Sequence, residues 1–388
     1  MSNTKTNKKI PVVVIIGHVD HGKSTLLDYI RKTNIVDGEA GGITQKISAY
    51  QVEYGKEKNK ITFIDTPGHE AFQNMRERSI EVADIAILIV SAEDGVKEQT
   101  MQAYNTALEK KLPVIVAINK IDKPAADIDK TKNSLLENGI YLEGMGGDVT
   151  YSLISSKNGQ GVDELLENII LQSEINDINY NPNITATGKV LESFIDKKRG
   201  ISATLVIKDG ILPNNGAILA GNSISPIRII EDFSGRIIKS PIAGTPIMVT
   251  GFDSVPNVGS IFISSDNKKE LELIQQEELR NEKKIILDPK LYRNAKAIIP
   301  VILKSSSQLS LDAIKDKLKK YETDDIKIKI IGEGIGNINE SDVLSASSDE
   351  RVVILGFDVK IENKAKEQGE RFFIVPEVFD IIYKLEDR

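Results

Sequence analysis

The chain has 388 residues, of which 40% are hydrophobic and 28% are charged, with a formal net charge of -7 at pH 7 and no cysteine. These values exclude a disulfide framework, a thiolate zinc site and a cysteine nucleophile, and they argue against broad electrostatic adhesion to nucleic acid. Because the chain is too long for a single core, we expect two or three domains. No apolar run approaches the roughly 18 residues of a membrane span, and the polar leader at residues 1–9 lacks the hydrophobic segment of a secretory signal, so we expect a cytoplasmic protein.

Apolar, β-branched runs alternate with amphipathic stretches through residues 10–177. This pattern is typical of an α/β domain in which helices cover a doubly wound parallel sheet. The predicted strands are residues 12–16, 61–64, 85–90, 114–118 and 153–154. In an open parallel sheet the ligand binds beyond the carboxyl ends of the strands, so the residues that follow each run should line the site.

The first strand leads directly into a phosphate-binding loop (P-loop) of the form G-x-x-x-x-G-K-S. Its residues are Gly17, His18, Val19, Asp20, His21, Gly22, Lys23 and Ser24, followed by Thr25. In such a loop the backbone N–H groups point at phosphate oxygens, and the helix that follows adds its positive end. We expect Lys23 to reach the outer phosphates and the Ser24 hydroxyl to ligate a magnesium ion. We interpret His18 and His21 as supports of the loop backbone rather than as catalytic residues.

Two further segments predict contacts with a triphosphate. The second strand ends at Asp65, Thr66, Pro67 and Gly68, where Asp65 is placed like an acidic residue that holds magnesium through water. Because Gly68 has no Cβ, its N–H can approach a γ-phosphate, and the segment after it would then be a switch. In the loop at residues 39–45, Thr44 is a candidate for a second hydroxyl on magnesium, although spacing alone equally favours a flexible connection.

Two loops later in this domain carry the features of base recognition. Asn119, Lys120, Ile121 and Asp122 follow the fourth run, and Ser155, Ser156 and Lys157 follow the fifth. The Asp122 carboxylate can accept two N–H bonds from the edge of guanine, which adenine cannot supply. Asn119 can bond the base ring and tie this loop to the P-loop. The sequence therefore predicts GTP and GDP, not ATP, as the ligands.

Beyond a short linker at residues 178–182, the apolar runs become short and turn signals frequent. Six runs, at residues 189–195, 202–207, 217–219, 226–231, 247–252 and 260–263, predict a small closed β-barrel within residues 183–265. Residues 266–289 predict a charged, solvent-exposed helical linker. Residues 290–388 predict a third, α/β/α domain, with strands at 297–304, 326–331, 352–357 and 372–375 and helices at 310–321 and 339–347. We also expect a tight turn at residues 332–336 and a short amphipathic helix at 377–388.

The loops at residues 17–26, 65–72 and 119–122 resemble those of the translational GTPases. With residues 40–45 and 119–124 included, the sequence resembles one branch, bacterial translation initiation factor two, over nearly the whole chain. The resemblance implies that Thr44 and Gly68 belong to two switches and that His69 positions the attacking water. It also implies that Val19 and Ile43 form an apolar gate beside that histidine.

The sequence departs from this family in its last guanine loop, where Ser155-Ser156-Lys157 replaces the usual Ser-Ala-Lys. The resemblance still implies that the backbone N–H of Ser156 donates to the oxygen of the base. It further implies a GTP-hydrolysing factor of protein biosynthesis, with magnesium as cofactor, that acts on the small ribosomal subunit and the GTPase-activating region of the large subunit.

The family promotes binding of initiator formylmethionyl-tRNA to the small subunit and subunit joining. Since nothing after the third domain resembles the family's terminal tRNA-binding barrel, we expect that this chain alone does not bind the initiator tRNA.

The motifs supply no arginine to the phosphates in cis, so the intrinsic rate of hydrolysis should be low and should depend on the ribosome. The alternatives are a tRNA-delivering GTPase of the elongation-factor type and a non-catalytic, nucleotide-gated module that occupies ribosomes.

Overall fold

The computed structural model describes residues 7–34, 48–65, 73–196, 199–282, 297–323, 326–347, 349 and 351–380. Six residues predicted to belong to the nucleotide site lie outside this range, namely Ile43, Thr44, Thr66, Pro67, Gly68 and His69. In the described part of the chain, no helix is both long and apolar enough to cross a membrane.

The first domain is built on a six-stranded sheet. The elements up to its end are β1 (Asn7–Lys8), β2 (Val12–Gly17), α1 (Lys23–Asn34), β3 (Ser48–Tyr54), β4 (Asn59–Asp65), α2 (Gln73–Val82), β5 (Ile85–Ser91), α3 (Glu98–Glu109), β6 (Val114–Asn119), α4 (Ile128–Glu137), β7 (Tyr151–Leu153) and α5 (Val162–Ile175). The strand order is β3-β4-β2-β5-β6-β7. All neighbouring strands are parallel except β3, which runs antiparallel to β4. The doubly wound parallel sheet predicted from the sequence is present, but the prediction missed β3, the antiparallel strand at one edge.

Two apolar cores cover the two faces of this sheet. Alternate residues of β2 enter different cores, because successive side chains of a strand point to opposite faces. Val13 and Ile15 pack with apolar side chains of α1 and α5. Val14 and Ile16 pack with residues of α2, α3 and α4. The central strands are consequently buried on both sides, which explains their unbroken apolar sequence.

The second domain is a small β-barrel of seven strands. They follow β8 (Asn179–Tyr180), which pairs with β1, and are β9 (Thr187–Asp196), β10 (Gly200–Asp209), β11 (Ala217–Ala220), β12 (Ser223–Pro226), β13 (Ile230–Glu231), β14 (Pro246–Thr250) and β15 (Ile261–Ser265). Their order is β12-β11-β15-β9-β10-β14-β13, all antiparallel. Strand β12, at one end of this order, also contacts the chain just beyond β14, where the N–H of Asp253 donates to the carbonyl of Ile224 at 3.0 Å.

One predicted strand of the barrel is wrong. Residues 226–231 form two strands rather than one, because β12 pairs with β11 whereas β13 pairs with β14 on the opposite edge of the sheet. The chain crosses between these edges at residues 227–229.

The third domain follows α6 (Lys268–Glu282) and has a four-stranded parallel sheet. Its elements are β16 (Ala297–Ser305), α7 (Gln308–Lys320), β17 (Ile326–Ile335), α8 (Glu340–Ala346), β18 (Val353–Phe357), α9 (Asn363–Phe372) and β19 (Glu377–Phe379), with strand order β17-β16-β18-β19. The expected strand at residues 372–375 is wrong, because α9 continues to Phe372 and buries Ala365 and Gly369. Residues 377–379 form a strand instead of starting a helix, and residues 381–388 lie outside the described part.

Two further expectations for this half of the chain are corrected. The tight turn expected at residues 332–336 is mostly strand, since β17 continues to Ile335 and only Gly336 has a positive φ, +109°. Helix α6 is present, and most of its described residues are exposed as expected, but it is more than a spacer because one face packs on the barrel. Its Leu271 is buried against Leu219 and Ile224 of the barrel, and its Gln275 side chain donates to Asp253 at 2.9 Å.

The three domains share contacts around α2. Arg78 of α2 pairs with Asp312 of α7 at 2.8 Å, and Glu81 pairs with Lys189 of β9 at 2.8 Å. The Lys208 ammonium of β10 donates to the carbonyl of Val82 at 2.6 Å. Helix α2 is therefore attached by side-chain contacts both to the barrel and to the third domain.

The residues expected to form the end of a polar leader are part of the fold. Lys9 and Asp84 form a buried ion pair of 2.6 Å, and the second carboxylate oxygen of Asp84 accepts the N–H of Val12 at 3.0 Å. Lys8 pairs with Glu174 at the same distance of 2.6 Å, but on the surface. The boundaries of the domains themselves stay predictions.

Candidate nucleotide-binding site

The P-loop and the two base-recognition loops lie at the end of the first sheet where its parallel strands have their carboxyl ends. The parallel strands β4, β2, β5 and β6 end at Asp65, Gly17, Ser91 and Asn119. After β2 the chain continues to β3 and β4 on one side of β2, and it then crosses to β5 on the other side. The P-loop therefore begins at the strand where the order reverses. Such a point leaves a crevice between the loops on its two sides. The fold thus brings the P-loop and both base-recognition loops to one crevice.

Two glycines allow the P-loop to approach its neighbours closely. A Cβ on Gly17 would lie 2.5 Å from the carbonyl oxygen of Ile89. At Gly22 the φ angle is +94°, and a Cβ would lie 2.3 Å from the Asn119 amide nitrogen. Both positions therefore require glycine for steric reasons, and also for backbone conformation, because Gly17 has a φ of +140°. The absence of side chains here keeps the backbone N–H groups accessible.

The lysine of the P-loop lies across the loop itself. Lys23 Nζ donates to the carbonyl oxygens of Gly17 at 2.9 Å and His18 at 2.6 Å. Helix α1 begins at this residue, and its first hydrogen bond runs from the N–H of Leu26 to the carbonyl of Gly22 at 2.9 Å. An ammonium group and a helix N-terminus thus converge at the loop, which is a suitable environment for phosphate.

The two loop histidines are packed edge to face, with ring centroids 5.0 Å apart. His21 is buried, and its Nδ1 lies 3.4 Å from the carbonyl oxygen of Ile89, which requires the proton on Nδ1. Burial lowers the pKa of His21 to about 4, so the ring is neutral at pH 7. Among the described residues, His18 Nδ1 and His21 Nε2 have no hydrogen-bond partner.

Asn119 connects the base-recognition loops to the P-loop. Its amide nitrogen donates to the carbonyl of His21 at 2.8 Å. Its amide oxygen accepts two hydrogen bonds from Ser156, one from the backbone N–H and one from the hydroxyl, each 2.9 Å long. All three residues are buried. The connection to the P-loop predicted from the sequence is therefore present, but the Ser156 N–H that was expected to donate to the base donates to Asn119.

The carboxylate of Asp122 is exposed and is held by its neighbour across the loops. The Ser155 hydroxyl donates to Asp122 Oδ1 at 2.6 Å, and this bond lowers the pKa of the Asp122 carboxyl below its usual value. The two loops are also joined by the N–H of Ile121, which donates to the carbonyl of Ile154 at 3.3 Å. An ionised, oriented carboxylate at the mouth of a crevice is suited to accept two N–H groups from one ligand edge.

The remaining predicted site residues have less specific surroundings. Lys120 has a φ of +66°, and its ammonium lies 3.5 Å from Glu93 and 3.9 Å from Asp94. Ser24, Thr25 and Lys157 have exposed side chains, as does Asp20 of the P-loop, which has a φ of +66°.

Sequence reasoning missed several residues that support these loops. Gln99 of α3 accepts the N–H of Val19 through its side-chain oxygen at 3.4 Å. Glu93 and Asp94 lie beside Lys120, and a hydrogen bond from Ser91 lowers the pKa of Asp94. No motif marks these positions. Only their place after β5, at the same edge of the sheet, could have indicated them.

The oxygen ligands expected for magnesium are partly within the described residues. The Asp65 carboxylate lies at the end of β4, beside β2, and the Ser24 hydroxyl lies in the first turn of α1. A carboxylate and a hydroxyl are suitable for magnesium, which commonly takes its other ligands from water and substrate phosphates. Within the described residues, no group of three histidine, aspartate or glutamate side chains could hold a metal without such a substrate.

Three family models match consecutive parts of the chain. They are the Elongation factor Tu GTP binding domain at residues 8–174, Elongation factor G domain 2 at residues 185–265, and Translation-initiation factor 2 at residues 272–388. Among solved structures, the GDP-bound aIF5B from Aeropyrum pernix matches with a TM-score of 0.54 and 26% identity, over 98% of this chain and 74% of that one. The fold and its nucleotide loops define a translational GTPase.

Two curated relatives identify the branch. Translation initiation factor IF-2 of Bacillus licheniformis is 43% identical over 389 residues, and that of Kosmotoga olearia is 43% identical over 392 residues. This chain belongs to the family of translation initiation factor IF-2. Each alignment covers 97% of this chain but only 54% and 56% of the respective relative, so the chain spans about half the length of these proteins.

Proposed function

We propose that this protein binds GTP, hydrolyses it to GDP and phosphate, and acts on the ribosome during initiation of protein synthesis. The observation that carries this proposal is the position of Asn119, whose amide joins the base-recognition loops to the P-loop through three hydrogen bonds. A chain with only a phosphate-binding loop would need no such connection. Together with family membership, it supports recognition of a guanine nucleotide as a whole.

Each part of the nucleotide has a proposed partner. Asp122 accepts the N–H groups on the edge of guanine, while the P-loop N–H groups and Lys23 bind the phosphates. To reach them, Lys23 exchanges its bonds with the carbonyls of Gly17 and His18 for bonds with phosphate oxygens. Ser24, Thr44 and Asp65, together with the phosphates, would hold magnesium, and the ion would supply positive charge beside the phosphoryl group.

Hydrolysis depends on a positioned water molecule. We assign that role to His69, with Thr44 and Gly68 as switch residues and Val19 and Ile43 as the apolar gate, on the basis of resemblance to the family. No arginine is provided by the recognised motifs, and in this chemistry an arginine finger contributes about three to five orders of magnitude in rate. We therefore propose that the ribosome activates hydrolysis, through the small subunit and the GTPase-activating region of the large subunit, in the cytoplasm.

Base competition tests the assignment of Asp122. Asp122→Asn replaces a carboxylate that accepts two bonds with an amide, and it should shift preference from GTP to xanthosine triphosphate, which has a carbonyl where guanine has an amine. Asp129→Asn, which removes the same charge at an exposed position in α4, should keep the preference for GTP. Unchanged preference for GTP in Asp122→Asn would contradict the assignment.

Multiple-turnover hydrolysis with and without ribosomes separates a GTPase from a nucleotide-gated module. We expect slow turnover alone and strong stimulation by ribosomes. His69→Ala should bind GTP nearly normally but lose the stimulated rate, whereas Lys23→Ala should lose nucleotide affinity itself. If ribosomes bound the GTP form without accelerating turnover, the non-catalytic alternative would be correct. The match of residues 272–388 to Translation-initiation factor 2 disfavours the elongation-factor alternative.

A further inference from the structure

The Ser156 hydroxyl is a polar group that the nucleotide-binding scheme above does not use. It donates to Asn119 Oδ1 at 2.9 Å, and the backbone N–H of the same residue donates to the same oxygen at 2.9 Å. An amide oxygen has two lone pairs, so one residue saturates it. The other end of the amide donates to the carbonyl of His21 at 2.8 Å, and all three residues are buried.

The two bonds from Ser156 fix which way the Asn119 amide points. If the amide were reversed, its nitrogen would face the Ser156 N–H, which can only donate, and its oxygen would face the His21 carbonyl with no proton between them. The orientation observed is the one in which Asn119 can hold the P-loop. The Ser156 N–H alone would be enough to select this orientation. The Ser156 hydroxyl is therefore not needed for that purpose in the structure.

Bound guanine gives the hydroxyl a role, because the base carries a hydrogen-bond acceptor. When its N–H groups bond to the Asp122 carboxylate, its ring carbonyl lies next to them on the same edge. The Ser155 hydroxyl already touches Asp122 at 2.6 Å, so the following residue, Ser156, is placed to offer its N–H to that carbonyl. The N–H cannot serve the base and Asn119 fully at the same time.

We propose that the Ser156 hydroxyl is a positioning group that retains Asn119 when the Ser156 N–H turns to the carbonyl of the bound base. With the hydroxyl present, binding exchanges one hydrogen bond for another and leaves Asn119 Oδ1 with a donor. With alanine at position 156, turning the N–H to the base leaves the buried Asn119 Oδ1 without a donor, and an unpaired buried acceptor is costly. This inference rests on the proposed binding of guanine nucleotide and adds a residue that controls its strength.

Nucleotide dissociation tests the inference. Ser156→Ala should raise the dissociation constant of fluorescently labelled GDP by about fivefold to 150-fold, the expected effect of one buried acceptor left unpaired. Ser156→Thr retains the hydroxyl and should bind within about twofold of the parent. Ser305→Ala is a matched control, because Ser305 is a buried serine at a strand end in the third domain whose hydroxyl has no partner among the described residues. It should not change GDP binding.

A nucleotide without the carbonyl separates this role from a merely structural one. The diphosphate of 2-aminopurine riboside keeps the amine of guanine but lacks its ring carbonyl and the ring N–H beside it, so the parent and the variant should both bind it more weakly, while nothing draws the Ser156 N–H away from Asn119. The ratio of dissociation constants, Ser156→Ala over parent, should therefore fall to about one for this analogue. A ratio that is equally large for both nucleotides would show general loosening of the site and would overturn the inference.

The failure of the inference is distinguishable from failure of the proposed function. If the parent protein bound GDP no better than ADP, guanine recognition itself would be wrong. If the parent preferred GDP but Ser156→Ala bound it like the parent, the site would stand and the role of the hydroxyl would be wrong. Thermal unfolding without nucleotide confirms that each variant is folded before these comparisons are made.

Discussion

Gly22→Ala is a sharp test of how the P-loop and the base-recognition loops depend on each other. A Cβ at this position would lie 2.3 Å from the Asn119 amide nitrogen, far inside van der Waals contact, and the φ of +94° is unfavourable for alanine. The nearest atom belongs to a buried side chain that is held at both ends. Asn119 must therefore move, and its bond of 2.8 Å to the His21 carbonyl breaks.

The size of the effect follows from the strain at positive φ and from the broken hydrogen bond. Positive φ in a non-glycine residue costs about 1 to 2 kcal/mol, which lowers folding stability. A buried hydrogen bond left without its partner costs about 1 to 3 kcal/mol. If that second cost falls on the nucleotide site, affinity for GDP drops by about fivefold to 150-fold, because each 1.4 kcal/mol is a factor of ten.

Gly139→Ala is the matched control for this experiment. Gly139 has a φ of +80°, but a Cβ there would meet nothing within 4 Å. It should lose about 1 kcal/mol of folding stability and keep its nucleotide affinity. Equilibrium binding of labelled GDP and thermal unfolding should be measured for both variants. Equal affinity in the two variants, with equal losses of stability, would refute the coupling of the loops through Asn119.

The remaining predictions concern stability. Leu271→Ala should cost about 2 to 4 kcal/mol in urea unfolding because it empties the α6–barrel contact, whereas Leu273→Ala, 64% exposed, should cost little. Asp84→Ala leaves a buried lysine unpaired and should cost about 3 to 5 kcal/mol, whereas Glu174→Ala, in an exposed pair of the same 2.6 Å length, should cost less than about 1 kcal/mol. The pKa of His21 is lowered from 6.5 to about 4, so the unfolded chain binds more protons in that window and the free energy of unfolding should fall as pH drops from 6.5 to 4, by at most about 3 kcal/mol. His21→Asn should show a shallower fall in the same titration, and parallel titration curves would contradict this assignment.

The positions of the site loops were predictable because local sequence and sheet topology agree. Each buried parallel strand appears as an apolar run, and the residues after it must reach the same edge of the sheet. The Asn119 contact with the P-loop could be anticipated for that reason. The two bonds from Ser156 could not, because they depend on the path of the turn after β7, where the N–H of Ser155 donates to the carbonyl of Gln160 at 2.9 Å.

The errors in the fold have a common physical cause. Helix α6 has many charged residues, and the sequence does not show that Leu271 finds a partner surface on the barrel. Strand β3 lies at the edge of its sheet and is identified only by its register with β4, such as Tyr50 opposite Phe63. Residues 226–231 could form one strand by propensity, but pairing on two different edges divides them. In each case long-range contacts, which sequence patterns do not report, decided the outcome.

Helix α2 relates the candidate site to the rest of the molecule. It begins at Gln73, directly after the residues in which the second switch is predicted, and it ends one residue before the Ala83–Asp84 turn into β5. Its ion pairs from Arg78 to α7 and from Glu81 to β9 are each 2.8 Å long. Both pairs are partly shielded from solvent, so moving α2 by a few ångströms would separate charges that water replaces only in part. A rearrangement of the switch that displaced α2 would therefore have to move the barrel and the third domain with it, or break both contacts.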